Sequence, residues 1–148
     1  MDVKKKYIGI QSEAKKYADQ LSLLGSDGCL FLCICSIAED FNEAFHTGKR
    51  VDILRCFIDW KNKGYLKDGF WCEDSLSMLK DATGYEWERE MVKALPETLL
   101  PQAYTVEKWR GQLGGTHFRR RWGDTLNSSA TVRSGTLESY YIYTAKMR

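Results

Sequence analysis

The chain has 148 residues, 43% of them hydrophobic, 13% aromatic and 28% charged, and a formal net charge of +2. That length suits a single domain spanning 1–148 with a real core, and the composition excludes a disordered or fibrous protein. The net charge is too small to call for a nucleic-acid or membrane partner, and no apolar stretch approaches the roughly 20 residues of a membrane span.

The N-terminus, Met1-Asp2-Val3-Lys4-Lys5-Lys6, is charged but leads into Gln, Ser, Glu and more Lys, so it lacks the apolar core of a signal peptide. Gln11 to Leu24 carries apolar groups at Ala14, Tyr17, Ala18, Leu21 and Leu24, the spacing of an amphipathic helix stopped by Gly25. Ser26-Asp27-Gly28 reads as a turn. From Cys29 an apolar run through Ala38 predicts a helix to about Phe45, buried in its first half and turned to solvent from Glu39 onward. Val51 to Lys61, with Ile53, Leu54, Phe57, Ile58 and Trp60 apolar, predicts a further helix. Ser75 to Ala82 predicts a shorter one, stopped by Thr83-Gly84.

The two prolines, Pro96 and Pro101, bracket a connector, after which the character changes. Ala103–Val106, Thr116–Trp122 and Glu138–Thr144 are rich in aromatic and β-branched residues and are separated by Gly, Ser and Asn turns, which predicts strands. Helices first and strands later imply an α+β domain with an antiparallel sheet. The helical half is expected at about 11–95 and the sheet half at about 102–146.

Five cysteines are an odd number, and Cys29, Cys33 and Cys35 share one apolar run, so a reducing cytoplasm is expected rather than a disulfide framework. Cys33 and Cys35 read as small core residues. Cys29 differs because it follows Gly28 at the start of a helix, where free N–H groups and the helix dipole favour a thiolate. His117 enters a strand after Gly114-Gly115, and Asp124 follows shortly. Cys, His and Asp in that order are what thiol-based acyl transfer requires, with His as base and Asp fixing its tautomer. Each also has a plain structural role: a buried thiol, a hydrogen-bonded strand histidine, an Asx turn. Asn127 is an alternative to Asp124, and Gln20, or Gln11, could direct an amide at the oxyanion site beside the Cys29 N–H.

Arg119-Arg120-Arg121 with Trp122 could meet phosphates and stack a base, but a charged, solvated edge strand accounts for the run without a ligand. In a strand, Arg119 and Arg121 share a face with His117, while Phe118, Arg120 and Trp122 share the other. No C-x-x-C pair and no glycine-rich phosphate loop occur, so neither a metal nor a cofactor is expected.

Gly28-Cys29-Leu30-Phe31 at the head of a buried helix resembles the nucleophile helix of papain-like cysteine peptidases, above all the C39-like branch and related bacterial and phage proteins. Val51–Leu54, Lys63-Gly64-Tyr65-Leu66, Trp71–Leu76 and Ala82-Thr83-Gly84 are similar to the helical insert of such proteins. Thr116-His117-Phe118 resembles their "HF" strand, and Trp122-Gly123-Asp124 through Asn127 to Gly135 their "WDP…N" hairpin, with Thr125 in place of the proline. The resemblance implies a papain-like fold and a thiol hydrolase of peptide or amide bonds. In it Cys29 is the nucleophile, His117 the base, Asp124 the orienter and Gln20 an oxyanion donor. Its partner would be a peptide or protein substrate. The alternatives are a catalytically inactive protein-binding module on the same fold and, more weakly, a nucleic-acid binder acting through Arg119 to Trp122.

Overall fold

The computed structural model of the chain describes residues 12–23, 28–111, 115–120 and 135–147. Residues 12–16 are helical, Tyr17 interrupts them with a turn, and the short helix α1 (Ala18–Leu21) follows. The apolar run beginning at Cys29 folds as the long helix α2 (Cys29–Ala44). Phe31, Ile34, Cys35, Ile37, Ala38 and Phe41 on it are fully buried, whereas Glu39 and Glu43 in its second half are exposed. A helix apolar on all sides must be surrounded, and α2 is: it packs against β5 (Thr116–Arg120) and α4 (Ser75–Thr83).

Helices α3 (Ile53–Asn62) and α4 start where the sequence supplies caps. The Asp52 carboxylate accepts the Arg55 N–H at 2.9 Å, and the Asp74 carboxylate accepts the Ser77 N–H at 3.1 Å, each satisfying an otherwise orphan donor. Helix α4 ends on Gly84, whose φ of +80° is open to glycine at no steric cost. Between α3 and α4 lies a small hairpin of β1 (Leu66–Lys67) and β2 (Trp71–Cys72), reversed by Asp68 and Gly69, both at positive φ.

The second layer is a four-stranded antiparallel sheet in the order β3-β6-β4-β5, formed by β3 (Trp87–Val92), β4 (Ala103–Arg110), β5 and β6 (Thr136–Ala145). Ten-residue β6 is central and pairs with both β3 and β4. Strand β3 lies in the half expected to be helical. Its Glu88, Arg89 and Glu90 put charge on both faces, so no apolar alternation marks it, and it survives as a strand because it is an edge.

Helices and sheet meet in an aromatic core. Phe31 lies 5.8 Å from Trp60 and 6.2 Å from Phe57, and Phe57 lies 5.0 Å from Phe70, all between ring centroids. At the other end of α2, Phe41 touches Phe45, Tyr85 and Trp87. Fully burying one such aromatic side chain contributes on the order of 2–3 kcal/mol. The Trp87 indole N–H donates to Thr83 Oγ1 at 2.8 Å and that hydroxyl donates to Leu79 O at 2.7 Å, so the buried indole N–H and the buried hydroxyl are both satisfied. Among the described residues no helix is long and apolar enough to cross a membrane.

Candidate functional site

Cys29 is the first residue of α2, with Gly28 as its N-cap, and its thiol lies on the wall of a cleft of about 560 Å³. The cleft opens between the head of α2, the β1–β2 hairpin and the helix-facing side of the sheet. Phe70, Phe118 and Tyr141 supply its apolar surface, and Trp71, 63% exposed, stands at its rim. Arg89 of the edge strand brings a cation; its guanidinium sits 5.0 Å from the Tyr141 ring centroid. Asp68 and Glu73 complete the lining with carboxylates, and Glu73 accepts the Trp71 indole N–H at 2.9 Å, which holds that ring in place. A second thiol faces the same space: Cys72 donates to Phe70 O at 3.6 Å, and burial together with the neighbouring Cys29 thiol pushes its pKa up to about 12. Cys72 is therefore a protonated, inert wall of the cleft.

The strand that approaches Cys29 is β5, and its pleat decides what faces the thiol. Thr116 and Phe118 line the cleft. Two residues on from Phe118, on the same face, Arg120 Nη1 donates to Ser36 Oγ at 2.8 Å and to the Asp40 carboxylate, both on α2. His117 and Arg119 consequently point to the opposite side of the sheet. There His117 pairs across the ladder with Trp109, and Arg119 with Glu107. Arg119 Nε donates to Glu107 Oε1 at 2.7 Å and stacks 5.1 Å from the Trp109 ring centroid, while the Trp109 indole N–H donates to the same carboxylate at 3.1 Å. Burial and then the adjacent Arg119 cation hold His117 below its ordinary pKa, so the ring is neutral at pH 7.

The structure thus does not bring Cys29 and His117 together. A sheet separates the thiol from the imidazole, because neighbouring residues of one strand face opposite ways. Gln20 lies on α1 and does not line the cleft. Asp124, Asn127 and Gln11 lie outside the described residues, as do Arg121 and Trp122. Of the arginine run, Arg119 and Arg120 are both engaged within the chain, and Arg120, with a side chain only 9% exposed, turns into the fold instead of forming the solvated edge expected of it.

Sequence reasoning passed over Arg89, Trp71 and Tyr141, which build the cleft. Arg89 sits in the unmarked edge strand, Trp71 in a two-residue strand, and Tyr141 in an aromatic run whose inward members only the register identifies. The alternation read along the strand put Phe118 and Arg120 on the face opposite His117, and the structure turns that face inward. Among the described residues no group of three or more His, Cys, Asp or Glu is placed to hold a metal ion. Compared with known proteins, the chain matches no family model, no curated protein and no solved structure, so the chemistry of this cleft is the ground on which function is argued.

Proposed function

We propose that the chain is a non-catalytic binding module on a papain-like frame, and that its cleft beside Cys29 receives an extended segment of a partner protein. A buried helix headed by a cysteine and laid across an antiparallel sheet supports the papain-like frame. The observation that carries the non-catalytic reading is the pleat of β5. A thiol hydrolase needs a base within hydrogen-bond reach of its nucleophile, and the strand offers Thr116 and Phe118 to Cys29 while His117 faces away.

The cleft has the makings of a peptide groove. Phe70, Phe118 and Tyr141 accept an apolar side chain, and Arg89, exposed and steadied over the Tyr141 ring, meets a carboxylate. Edge strand β3 runs alongside, with Met91, 64% exposed, opposite Tyr141 in the register. Among the described residues no strand pairs with its outer side, the kind of edge to which an extended chain can add. The segment recognised is accordingly one that carries a large apolar residue near an acidic one. None of the five cysteines is joined in a disulfide, in keeping with a reducing compartment such as the cytoplasm.

Selection from a random-peptide display library against the wild-type chain tests this reading. Enriched peptides should bind wild type, lose about tenfold or more in affinity to Trp71→Ala and Arg89→Glu (a loss of roughly 1.4 kcal/mol), and be recovered intact. Peptides that bind both variants as well as wild type, or that are cleaved in a manner abolished by Cys29→Ala, would refute it.

A further inference from the structure

Strand β3, which borders the cleft, carries a charge pattern that the cleft does not use. Glu88, Arg89, Glu90 and Met91 are all exposed, and among the described residues only β6 pairs with this strand. Arg89 and Met91 lie opposite Tyr143 and Tyr141, on the helix-facing side of the sheet with the cleft. Alternation puts Glu88 and Glu90, opposite Thr144 and Ile142, on the other side. Among the described residues neither carboxylate has an ion-pair partner, whereas Glu86, next in the same row, is held by Lys80 at 2.5 Å. Mixed charge on an edge strand keeps other sheets away in general. Here each face bears a single sign, so the edge discriminates by charge.

We propose that β3 takes one added antiparallel strand from a partner protein, and that this strand reads apolar–basic–acidic–basic from its N- to its C-terminus. An antiparallel neighbour runs past Met91, Glu90, Arg89 and Glu88 in that order, and directly opposed side chains share a face. The apolar residue meets Met91, and the acidic one meets Arg89 on the side of the cleft. The two basic residues meet Glu90 and Glu88 on the far side. This inference rests on the binding reading above and adds the two basic positions to it.

A second copy of the chain does not fit the same edge. Two antiparallel copies of β3 related by a two-fold axis would oppose residues equally distant from the central one. Centred on Arg89, the axis sets Arg89 against itself and Glu88 against Glu90; centred on Glu90, it sets Glu90 against itself. Centred on Glu88 it opposes Glu86 with Glu90, and centred on Met91 it opposes Arg89 with Lys93. Each of these registers places like charges directly across from one another, which disfavours pairing. The occupant is therefore a different chain, with the complementary alternation.

The test is fluorescence anisotropy of the intact chain with two labelled peptides, Leu-Lys-Glu-Lys and Leu-Glu-Glu-Glu, each set between the same Ser-Thr flanks. Wild type should prefer the lysine peptide by about tenfold, and the preference should shrink as salt is raised. The double variant Glu88→Lys with Glu90→Lys should reverse the preference, and its binding of the glutamate peptide also shows that it has folded. Methylating one alternate set of backbone nitrogens in the lysine peptide should abolish binding, and methylating the other set should not. Equal affinity of wild type for the two peptides, with both weakened by Arg89→Glu, would keep the cleft reading and overturn the added strand. Indifference to which set is methylated would overturn it too. Binding of neither peptide would overturn both readings. A dimer of the peptide-free chain that the double variant dissociates would place a second copy on the edge and overturn the proposal.

Discussion

The placement of β5 can be tested through Arg120, whose inward direction is what forces His117 outward. Its guanidinium is bonded to Ser36 and Asp40 and lies 5.5 Å from the Tyr104 ring centroid. Removing one member of a buried ion pair costs about 3–5 kcal/mol when the survivor is left uncompensated. Here the Arg120 side chain is 9% exposed and that of Asp40 is 45% exposed, so water already shares part of the carboxylate. Asp40→Asn keeps the shape and one weaker acceptor, which brings the expected loss down to about 2 kcal/mol. The assay is urea unfolding at neutral pH of wild type, Asp40→Asn, Arg120→Met and the double variant. If the pair is formed, the two changes are not additive, with a coupling energy of roughly 1–2 kcal/mol. A coupling energy below about 0.5 kcal/mol, the level of an exposed surface pair, would mean that Arg120 does not face α2. The assignment of Phe118 inward and His117 outward would fall with it.

Four further outcomes are expected. Tyr143→Phe removes a hydroxyl that donates to the buried Ser75 Oγ at 3.1 Å, and should cost about 1 kcal/mol by thermal unfolding at pH 7. Because burial raises the Tyr143 pKa from 10.0 to about 12, the folded state holds that proton more tightly than the unfolded one. Wild type should therefore lose on the order of 3 kcal/mol relative to Tyr143→Phe as pH rises from about 10 to 12, and parallel pH–stability curves would contradict this. His117 has the opposite sign: its pKa lies below 6.5 in the fold, so its contribution is complete above 6.5 and is lost as pH falls from there through the folded value. Wild type should weaken relative to His117→Gln over that acid window, and equal acid sensitivity would show that the ring is not desolvated. Thr83→Val strands the buried Trp87 indole N–H, and should lower stability by about 1–3 kcal/mol in urea titrations.

Much of the fold was legible because local chemistry and burial agree. The run from Cys29 to Ala38 is apolar on every side and could only be a surrounded helix, and it became the axis of the core. Asp52 and Asp74 sit before apolar periodic segments and cap the helices there, and the aromatic strands β4, β5 and β6 lie where their composition placed them. Strand β3 was hidden because Glu88, Arg89 and Glu90 carry no alternation, and β1–β2 because two-residue strands leave no pattern to read. The candidate site was harder for one reason. Alternation along Thr116–Arg120 divides residues into two faces, but which face meets Cys29 is set by tertiary contacts. Here the half-buried pairing of Arg120 with Asp40 and the packing of Phe118 on Tyr141, 5.6 Å between ring centroids, settle that choice. Three arginines in a row gave the opposite impression, of a strand wholly turned to water.

The central claim, that the Cys29 thiol and the His117 imidazole lie on opposite sides of the sheet, is tested most directly by the pH dependence of Cys29 alkylation. Iodoacetamide modification of Cys29, followed by peptide mass spectrometry from pH 5 to 9, would be compared in wild type and His117→Gln. A thiol that does not share a proton with His117 predicts one rise with pH and the same curve in both proteins. A plateau of reactivity at acid pH in wild type that vanishes in His117→Gln would reveal a thiolate–imidazolium pair and contradict the account.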